Sequence, residues 1–300
     1  MVAKIIDGNA VAKQVRAECR ALVEQLKRQG VTPGLAVIVV GENPAAMAYV
    51  QNKTKVCGEI GLHSEVYRFQ ENTPQATILG EIERLNGDPS IHGILVQLPL
   101  PPQCQIRKIL ETISREKDVD GFHLYNVGGL VVGDTVFPPC TPYAVQRLLE
   151  SENISVEGQN VVVVGASNIV GKPMALMLMQ KEATVAICHA KTRDLAQFTI
   201  LADILVVAAG KPNLIVPQMV KRGAVVIDVG INRLPDGRLV GDVDFEGLKQ
   251  KASHITPVPG GVGPMTVTML MENTVRSAAR LAKNEYMQDP LKPFAGTGAS

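Results

Sequence analysis

The feature that most constrains this chain is a recurring unit: a short apolar, largely β-branched run that ends in glycine and leads into a helix-like stretch. Its clearest copy is Val161–Ala175, VVVVGASNIVGKPMA. Runs that are apolar on both faces belong to buried parallel strands rather than to a half-wet antiparallel sheet. The glycine lets the backbone turn tightly. The helix start that follows offers unpaired N–H groups and partial positive charge, which is where a dinucleotide's pyrophosphate usually sits. This copy lies mid-chain, so a large segment precedes the cofactor turn and needs its own explanation.

That segment repeats the rhythm. Asp7 is placed to cap a helix whose apolar stripe (Val11, Val15, Leu22, Val23, Leu26) runs to Gly30. Leu35–Gly41 reads as a buried strand, 44–59 as a helix, Ser64–Phe69 as a weaker strand, and Thr73-Pro74 opens a helix to Leu85. His92–Pro101 reads as another buried strand, stopped by prolines that cannot continue a ladder. Strand–helix alternation implies βαβ units and a mainly parallel sheet. Residues 117–142, rich in Asp, Gly and Pro, read as a long connection without periodicity, and loops of that length are usually functional. Thr141-Pro142 opens a helix to Glu150. Beyond the cofactor turn, Ala183–His189, Ala202–Gly210, Gly223–Gly230 and a segment around Val240–Val243 read as four more strands of a second parallel sheet. The loop Ile255–Thr266 precedes a last helix from about Val267 to Lys283.

The expected architecture is therefore α/β in two domains. Residues 1–140 form an N-terminal α/β domain with a mainly parallel sheet, completed by the C-terminal helix 267–285. Residues 141–266 form a Rossmann-like domain, the active site lies in the cleft between the two, and 286–300 is a loose tail.

Composition bounds the function. A net charge of +1 on 300 residues argues against a general polyanion surface, and with no Trp there is little for base stacking, so nucleic acid is not an expected partner. The five cysteines have neither zinc nor redox spacing, and an odd count fits free thiols in a reducing compartment. No apolar run reaches the roughly 18 residues of a membrane helix, and the N-terminus turns helical and acidic too early for a signal peptide. The expectation is a cytoplasmic protein without a membrane partner.

Candidate site residues are few. The turn after Val164 departs from G-x-G-x-x-G: Ser167 takes the second glycine position, and Gly171 is displaced by one. The next strand ends in His189-Ala190-Lys191-Thr192-Arg193, with no acid to hold a ribose 2′-hydroxyl. A cationic tip suits a 2′-phosphate and hence NADP; a solvated basic turn is the plain alternative. Tyr49 and Lys53 share a helix face at i,i+4. Short-chain dehydrogenases use such a pair, but there the glycine turn comes first, and in isolation a packed Tyr beside a solvated Lys explains the pattern. Gln97 interrupts an apolar strand, so it meets either a structural partner or a ligand. Asp118 and Asp120 flank Val119 ahead of Gly121; without a His or Glu at ligand spacing, no metal is expected. The loop 257–266 brings backbone close to a flat ligand or forms a rigid turn.

Together these stretches resemble the bifunctional methylenetetrahydrofolate dehydrogenase/methenyltetrahydrofolate cyclohydrolase family. The resemblance rests on YVQNKTKVCGEIG (49–61), GILVQLPLP (93–101), KDVDGFH (117–123), VVGASNIVGKPMA (163–175), VIDVGINR (226–233) and PVPGGVGPMT (257–266), six segments in family order between about Lys4 and Arg280. It implies that NADP oxidises 5,10-methylenetetrahydrofolate and that the methenyl product is hydrolysed to 10-formyltetrahydrofolate. It further implies Lys53 as the central catalytic residue, Tyr49 stacking on the folate, Gln97 hydrogen-bonding near Lys53 beside Leu98, and Asp120 holding the pterin. Pro259, Gly260 and Gly261 border the folate. Gly165, Ala166 and Ser167 line the phosphates, Ile231 meets the nicotinamide half, and the protein is a homodimer built through the second domain. Some members carry Ser at the strand tip where this chain has Ala190, which leaves Lys191, Thr192 or Arg193 to meet a 2′-phosphate. Rival readings are a dehydrogenase for another small substrate and a dinucleotide-sensing module; only an enzyme needs Tyr49, Lys53, Gln97 and Asp120 to converge.

Overall fold

The computed structural model describes residues 2–283. The chain opens with β1 (Lys4–Ile5) and α1 (Gly8–Arg28), then alternates β2 (Gly34–Val40), α2 (Pro44–Ile60), β3 (His63–Phe69), α3 (Gln75–Gly87) and β4 (Gly93–Val96). Two helices follow, α4 (Ile106–Thr112) and α5 (Leu124–Val132). Next come α6 (Cys140–Ser151), β5 (Asn160–Val164), α7 (Gly171–Met179), β6 (Thr184–Cys188), α8 (Leu195–Thr199), β7 (Ile204–Val207) and β8 (Val225–Asp228). The last elements are β9 (Asn232–Arg233), β10 (Leu239–Val240), α9 (Phe245–Lys249), β11 (His254–Ile255) and α10 (Val262–Ala282).

These elements form two compact units. One comprises Gln14–Cys140 and the described chain from Val267 on; the other comprises the chain up to Lys13 and Thr141–Thr266. The first unit holds a three-stranded parallel sheet in the order β3-β2-β4. All seven residues of β2 are buried, because the strand lies centrally and is covered on both faces. One side packs Ala36, Ile38 and Val40 against Ile78, Ile82 and Leu85 of α3 and against Ile109. The i,i+4,i+7 spacing of the α3 residues makes that contact possible. From Val267 on, α10 belongs to this unit: Ser277 Oγ donates to His92 O at 2.6 Å and Glu116 O at 2.8 Å.

The second unit holds a six-stranded sheet in the order β1-β11-β8-β7-β5-β6, parallel in every pairing. Its core includes Val162, Val164, Leu205, Val207, Val226 and Ile255.

Several elements differ from the sequence reading. The strand expected over 92–101 ends at Val96; Gln97 N makes the final ladder bond to Ile38 O at 2.8 Å, and Pro99, Pro101 and Pro102 offer no N–H to extend it. Within the supposed loop 117–142 lies α5, capped by His123, whose Nδ1 accepts from Tyr125 N at 3.0 Å. Its glycines hide the helical period. The segment near Val240 is an antiparallel hairpin strand paired with β9, and Val243 makes a single bridge to Ile215. The parallel sheet is instead extended by β11 and β1, two-residue strands too short to show a period. The N-terminal residues through Lys13 accordingly group with the six-stranded unit. α10 starts at Val262 rather than 267, because Pro264 stands in its first turn, where a missing N–H costs nothing. The expected tail 286–300 and the end of helix 267–285 lie outside the described residues. No helix among the described residues is long and apolar enough to cross a membrane.

Candidate active site

In the three-stranded unit, side chains gather near the C-terminal ends of β2 and β4, where ligands of parallel sheets bind. α2 supplies the first two. Asn43 Oδ1 accepts from Ala46 N at 3.2 Å and Pro44 follows as first helical residue, so the helix start is fixed by its own capping sequence. One turn on, Tyr49 stands 44% exposed, a large aromatic left uncovered. A further turn on, Lys53 is partly buried, and its Nζ donates to Gln97 Oε1 at 2.9 Å. Gln97 Nε2 in turn donates to Leu98 O at 2.8 Å, which orients the carboxamide. Just past the strand end, Gln97 thus finds its partner in Lys53. The Leu98–Pro99 peptide is cis.

Burial lowers the Lys53 pKa from the ordinary lysine range, while the negative charge of Asp120 pulls it back up. Burial pushes the Asp120 pKa up to about 6; the Lys53 charge opposes this and the Asp118 charge adds to it. The Cys140 thiol facing Asp120 lowers that carboxyl's pKa and is itself held well above the usual thiol range, chiefly by burial. Asp118 does different work. Its carboxylate accepts from Phe122 N at 3.2 Å, His123 N at 2.8 Å and Asn126 Nδ2 at 2.7 Å, knitting the turn ahead of α5. Gly121 (φ 76°) is required here, since a Cβ would stand 2.7 Å from both Phe137 O and Pro139 N. Its absence lets the Asp120 turn lie directly on segment 137–140.

The other unit holds the glycine turn. Gly165 has φ 129°, and a Cβ there would lie 2.2 Å from Ala208 O; a Cβ on Gly171 would lie 1.9 Å from Gly165 O. Backbone therefore meets backbone, leaving a turn with little side-chain bulk at the end of β5. That cradle fits a dinucleotide's phosphates, with Gly165, Ala166 and Ser167 at its rim. One expectation is revised. The N–H groups opening α7 are not all unpaired: Ser167 Oγ accepts from Val170 N (3.1 Å) and Gly171 N (3.4 Å), and Ser167 O from Lys172 N (3.1 Å). At the β6 tip, Thr192 Oγ1 accepts from His189 N at 2.9 Å and His189 Nδ1 from Lys191 N at 3.2 Å. The tip is thus a closed turn with Ala190 and Lys191 exposed and no carboxylate among its residues 189–193. Ile231 is 45% exposed. Pro259, Gly260 and Gly261 belong to this unit too, following a cis Val258–Pro259 peptide. The structure thus gathers Lys53, Gln97, Leu98 and Asp120 in one unit and the glycine-rich segments in the other.

Residues 6–120 match the model for the tetrahydrofolate dehydrogenase/cyclohydrolase catalytic domain, and residues 139–282 match that for its NAD(P)-binding domain. The chain belongs to this family. It is 61% identical to the bifunctional protein FolD of Nitrosospira multiformis, over 95% of this chain and 100% of that one. The crystal structure of the FolD methylenetetrahydrofolate dehydrogenase/cyclohydrolase of Campylobacter jejuni superposes with a TM-score of 0.92 at 52% identity, covering 93% of this chain and 99% of that one. The Trypanosoma brucei enzyme, solved with NADP and an inhibitor, gives 0.91 at 39% identity, covering 94% and 99%. As a family member the protein is a bifunctional dehydrogenase and cyclohydrolase that uses NADP.

Sequence reasoning passed over four contributors to this dehydrogenase/cyclohydrolase fold. Cys140 is one of five cysteines with neither zinc nor redox spacing, and only its proximity to Asp120 distinguishes it; all five are buried and none forms a disulfide. Asp242 is fully buried and accepts from Ala209 N, Gly210 N, Lys211 N and Asn232 Nδ2 at 2.6–2.9 Å. Asp228, pushed up to about 6 by burial, accepts from the N–H groups of Gly230, Asp242 and Val243. Both shape the loops after β7 and β8, and an acid ending the apolar run VVID was the available signal. Asn273, buried on α10, is the fourth.

Proposed function

We propose that Lys53, held by Gln97, stays neutral beside the cation that oxidation forms and takes a proton during cyclohydrolysis, that Asp120 anchors the pterin, and that Tyr49 stacks on the folate. The enzyme oxidises 5,10-methylenetetrahydrofolate to the 5,10-methenyl form with NADP and hydrolyses that product to 10-formyltetrahydrofolate. When bound, NADP supplies the hydride acceptor. The carrying observation is the 2.9 Å bond from Lys53 Nζ to Gln97 Oε1 in surroundings that favour the neutral amine. Oxidation makes the one-carbon bridge cationic, and a fixed ammonium beside it would oppose the step. A neutral lysine does not. Donating one N–H to Gln97 leaves its lone pair available to take a proton from the water that adds to the methenyl carbon. Gln97 orients that amine without adding charge. The Asp120 carboxylate accepts from the pterin's N–H groups, a charge-assisted contact that fixes the ring for reaction.

Leu98 and the Pro259-Gly260-Gly261 turn complete the folate's surroundings in this reading. Gly165, Ala166 and Ser167 take the pyrophosphate, Ala190, Lys191 and Thr192 the 2′-phosphate, and Ile231 the nicotinamide half. A homodimer forms through the six-stranded unit. What supports it is apolar exposure on the edge strand and the helices that contact it: Ile187 on β6 (41%), Met179 on α7 (52%) and Phe198 on α8 (43%), with Leu201 just beyond (65%). Five buried cysteines without a disulfide among them support a cytoplasmic location.

Lys53→Met tests the central role. Cyclohydrolase turnover is expected to fall by at least about 100-fold, while calorimetric folate affinity stays within a few-fold of the parent. Full hydrolytic turnover in that variant refutes the assignment.

A further inference from the structure

From Val267 on, helix α10 is apolar within the three-stranded unit, with Met269, Leu270 and Met271 buried, yet the same buried surface carries Asn273 and Ser277 at i,i+4. A buried amide is costly unless it is satisfied, so its partners matter. Asn273 is fully buried, and its Nδ2 donates to Val119 O at 2.9 Å and Pro138 O at 3.2 Å and lies 3.9 Å from Cys140 Sγ. Val119 is the residue before Asp120, and the Cys140 thiol faces the Asp120 carboxylate and favours its charged form. Cys140 Sγ also reaches Val119 O at 3.4 Å. One carboxamide therefore grips both halves of the support under Asp120: the 118–121 turn and the 138–140 segment on which Gly121 lies. Among the described residues its Oδ1 has no hydrogen-bond partner, so the amide's hydrogen bonds here are made by its donor end.

We propose that Asn273 is a positioning residue of the folate site, fixing these two segments as one piece and so setting where the Asp120 carboxylate stands. The proposal rests on the reading that Asp120 holds the pterin. It makes Asn273 specific to substrate binding: the group it places touches folate, and the protons are carried by Lys53.

The test is a cycle of Asn273→Leu, Asp120→Ala and the double variant, with steady-state kinetics in both reactions. Asn273→Leu is expected to raise KM for methylenetetrahydrofolate about tenfold, with kcat at saturating folate and KM for NADP within about twofold. The acid limb of the folate KM should also move to higher pH. The groups facing Asp120 are Lys53, Asp118 and Cys140, and loosening Cys140 withdraws the thiol that favours the carboxylate. In the Asp120→Ala background the same substitution should leave KM unchanged. If Asn273→Leu only lowers Tm while the folate KM and its pH midpoint stay put, and Asp120→Ala alone raises KM, this proposal is overturned and the Asp120 assignment survives. An unchanged KM in Asp120→Ala overturns the Asp120 assignment and the proposal with it. Should Asn273→Leu fail to fold, Asn273→Ser, which retains one donor in a smaller side chain, replaces it in the cycle and is read by the same comparison.

Discussion

At the scale of single residues, the site is governed by the burial of charge. Asp120 and Lys53 each lose hydration, and each recovers part of that loss from the other. Because burial raises the folded-state pKa of Asp120 to about 6, the folded protein holds a proton that the unfolded chain releases at about pH 4. Its stabilising share is complete below about pH 4 and is lost as pH rises through about 6. Asp120→Asn is therefore expected to be more stable than the parent at pH 8, by on the order of 2 kcal/mol, with the gain shrinking steadily between about pH 6 and 4. Denaturant unfolding across that range checks it, and a gain that does not change with pH contradicts it. If Asp120 anchors the pterin as proposed, such a variant trades substrate anchoring for stability, as functional sites commonly do. Residue types were the most legible part of the sequence: Lys53, Gln97 and Asp120 all stood out beforehand. The thiol of Cys140 did not, since nothing in a lone cysteine's neighbours along the chain reveals an acid packed against it.

At the scale of elements, the strand–turn–helix at 160–179 shows how a local pattern fixes geometry. β5 is buried over Val161–Val164 because it lies between β6 and β7, and the turn beyond it has room only for hydrogen at Gly165. Gly165→Ala places a Cβ 2.2 Å from Ala208 O at φ 129°, so the turn must open. We expect NADP affinity to fall by at least about tenfold and Tm to drop by several degrees, with folate affinity spared. Fluorescence titration with NADP and a thermal melt measure the two effects; wild-type NADP affinity would show that the turn does not seat the phosphates. Long periodic elements such as α1, β2 and α3 were readable in advance, because their apolar spacing is set by what they bury. The failures were short or interrupted elements. β1 and β11 have two residues each, the glycines of α5 break its apolar stripe, and β4 ends where prolines withdraw donors.

At the scale of the whole molecule, the chain passes between its two units near residues 13, 140 and 266, so neither unit is a continuous stretch of sequence. The three-stranded unit depends on a helix that arrives more than a hundred residues after its last strand. Ser277 is one of the ties: its hydroxyl bridges His92 O and Glu116 O, at the two ends of the β4-to-loop segment. Ser277→Ala removes the donor that these two carbonyls share and is expected to cost about 1–2 kcal/mol, seen as a lower urea midpoint with kinetic constants unchanged. Unaltered stability would mean that α10 is held by its apolar contacts alone. The contrast with Asn273 is instructive, since two polar residues one turn apart then serve stability and substrate placement separately.

The sequence by itself determined the class of the fold and the family, because apolar periodicity, glycine sterics and side-chain chemistry are local properties written along the chain. Only the tertiary structure decided which groups face one another. It set the 2.9 Å contact between Lys53 and Gln97, placed Cys140 and Asn273 around the Asp120 turn, and returned residues 2–13 to the six-stranded unit. The energies of these pairings come from burial and hydrogen bonds between residues tens to hundreds of positions apart, and local spacing carries no record of them.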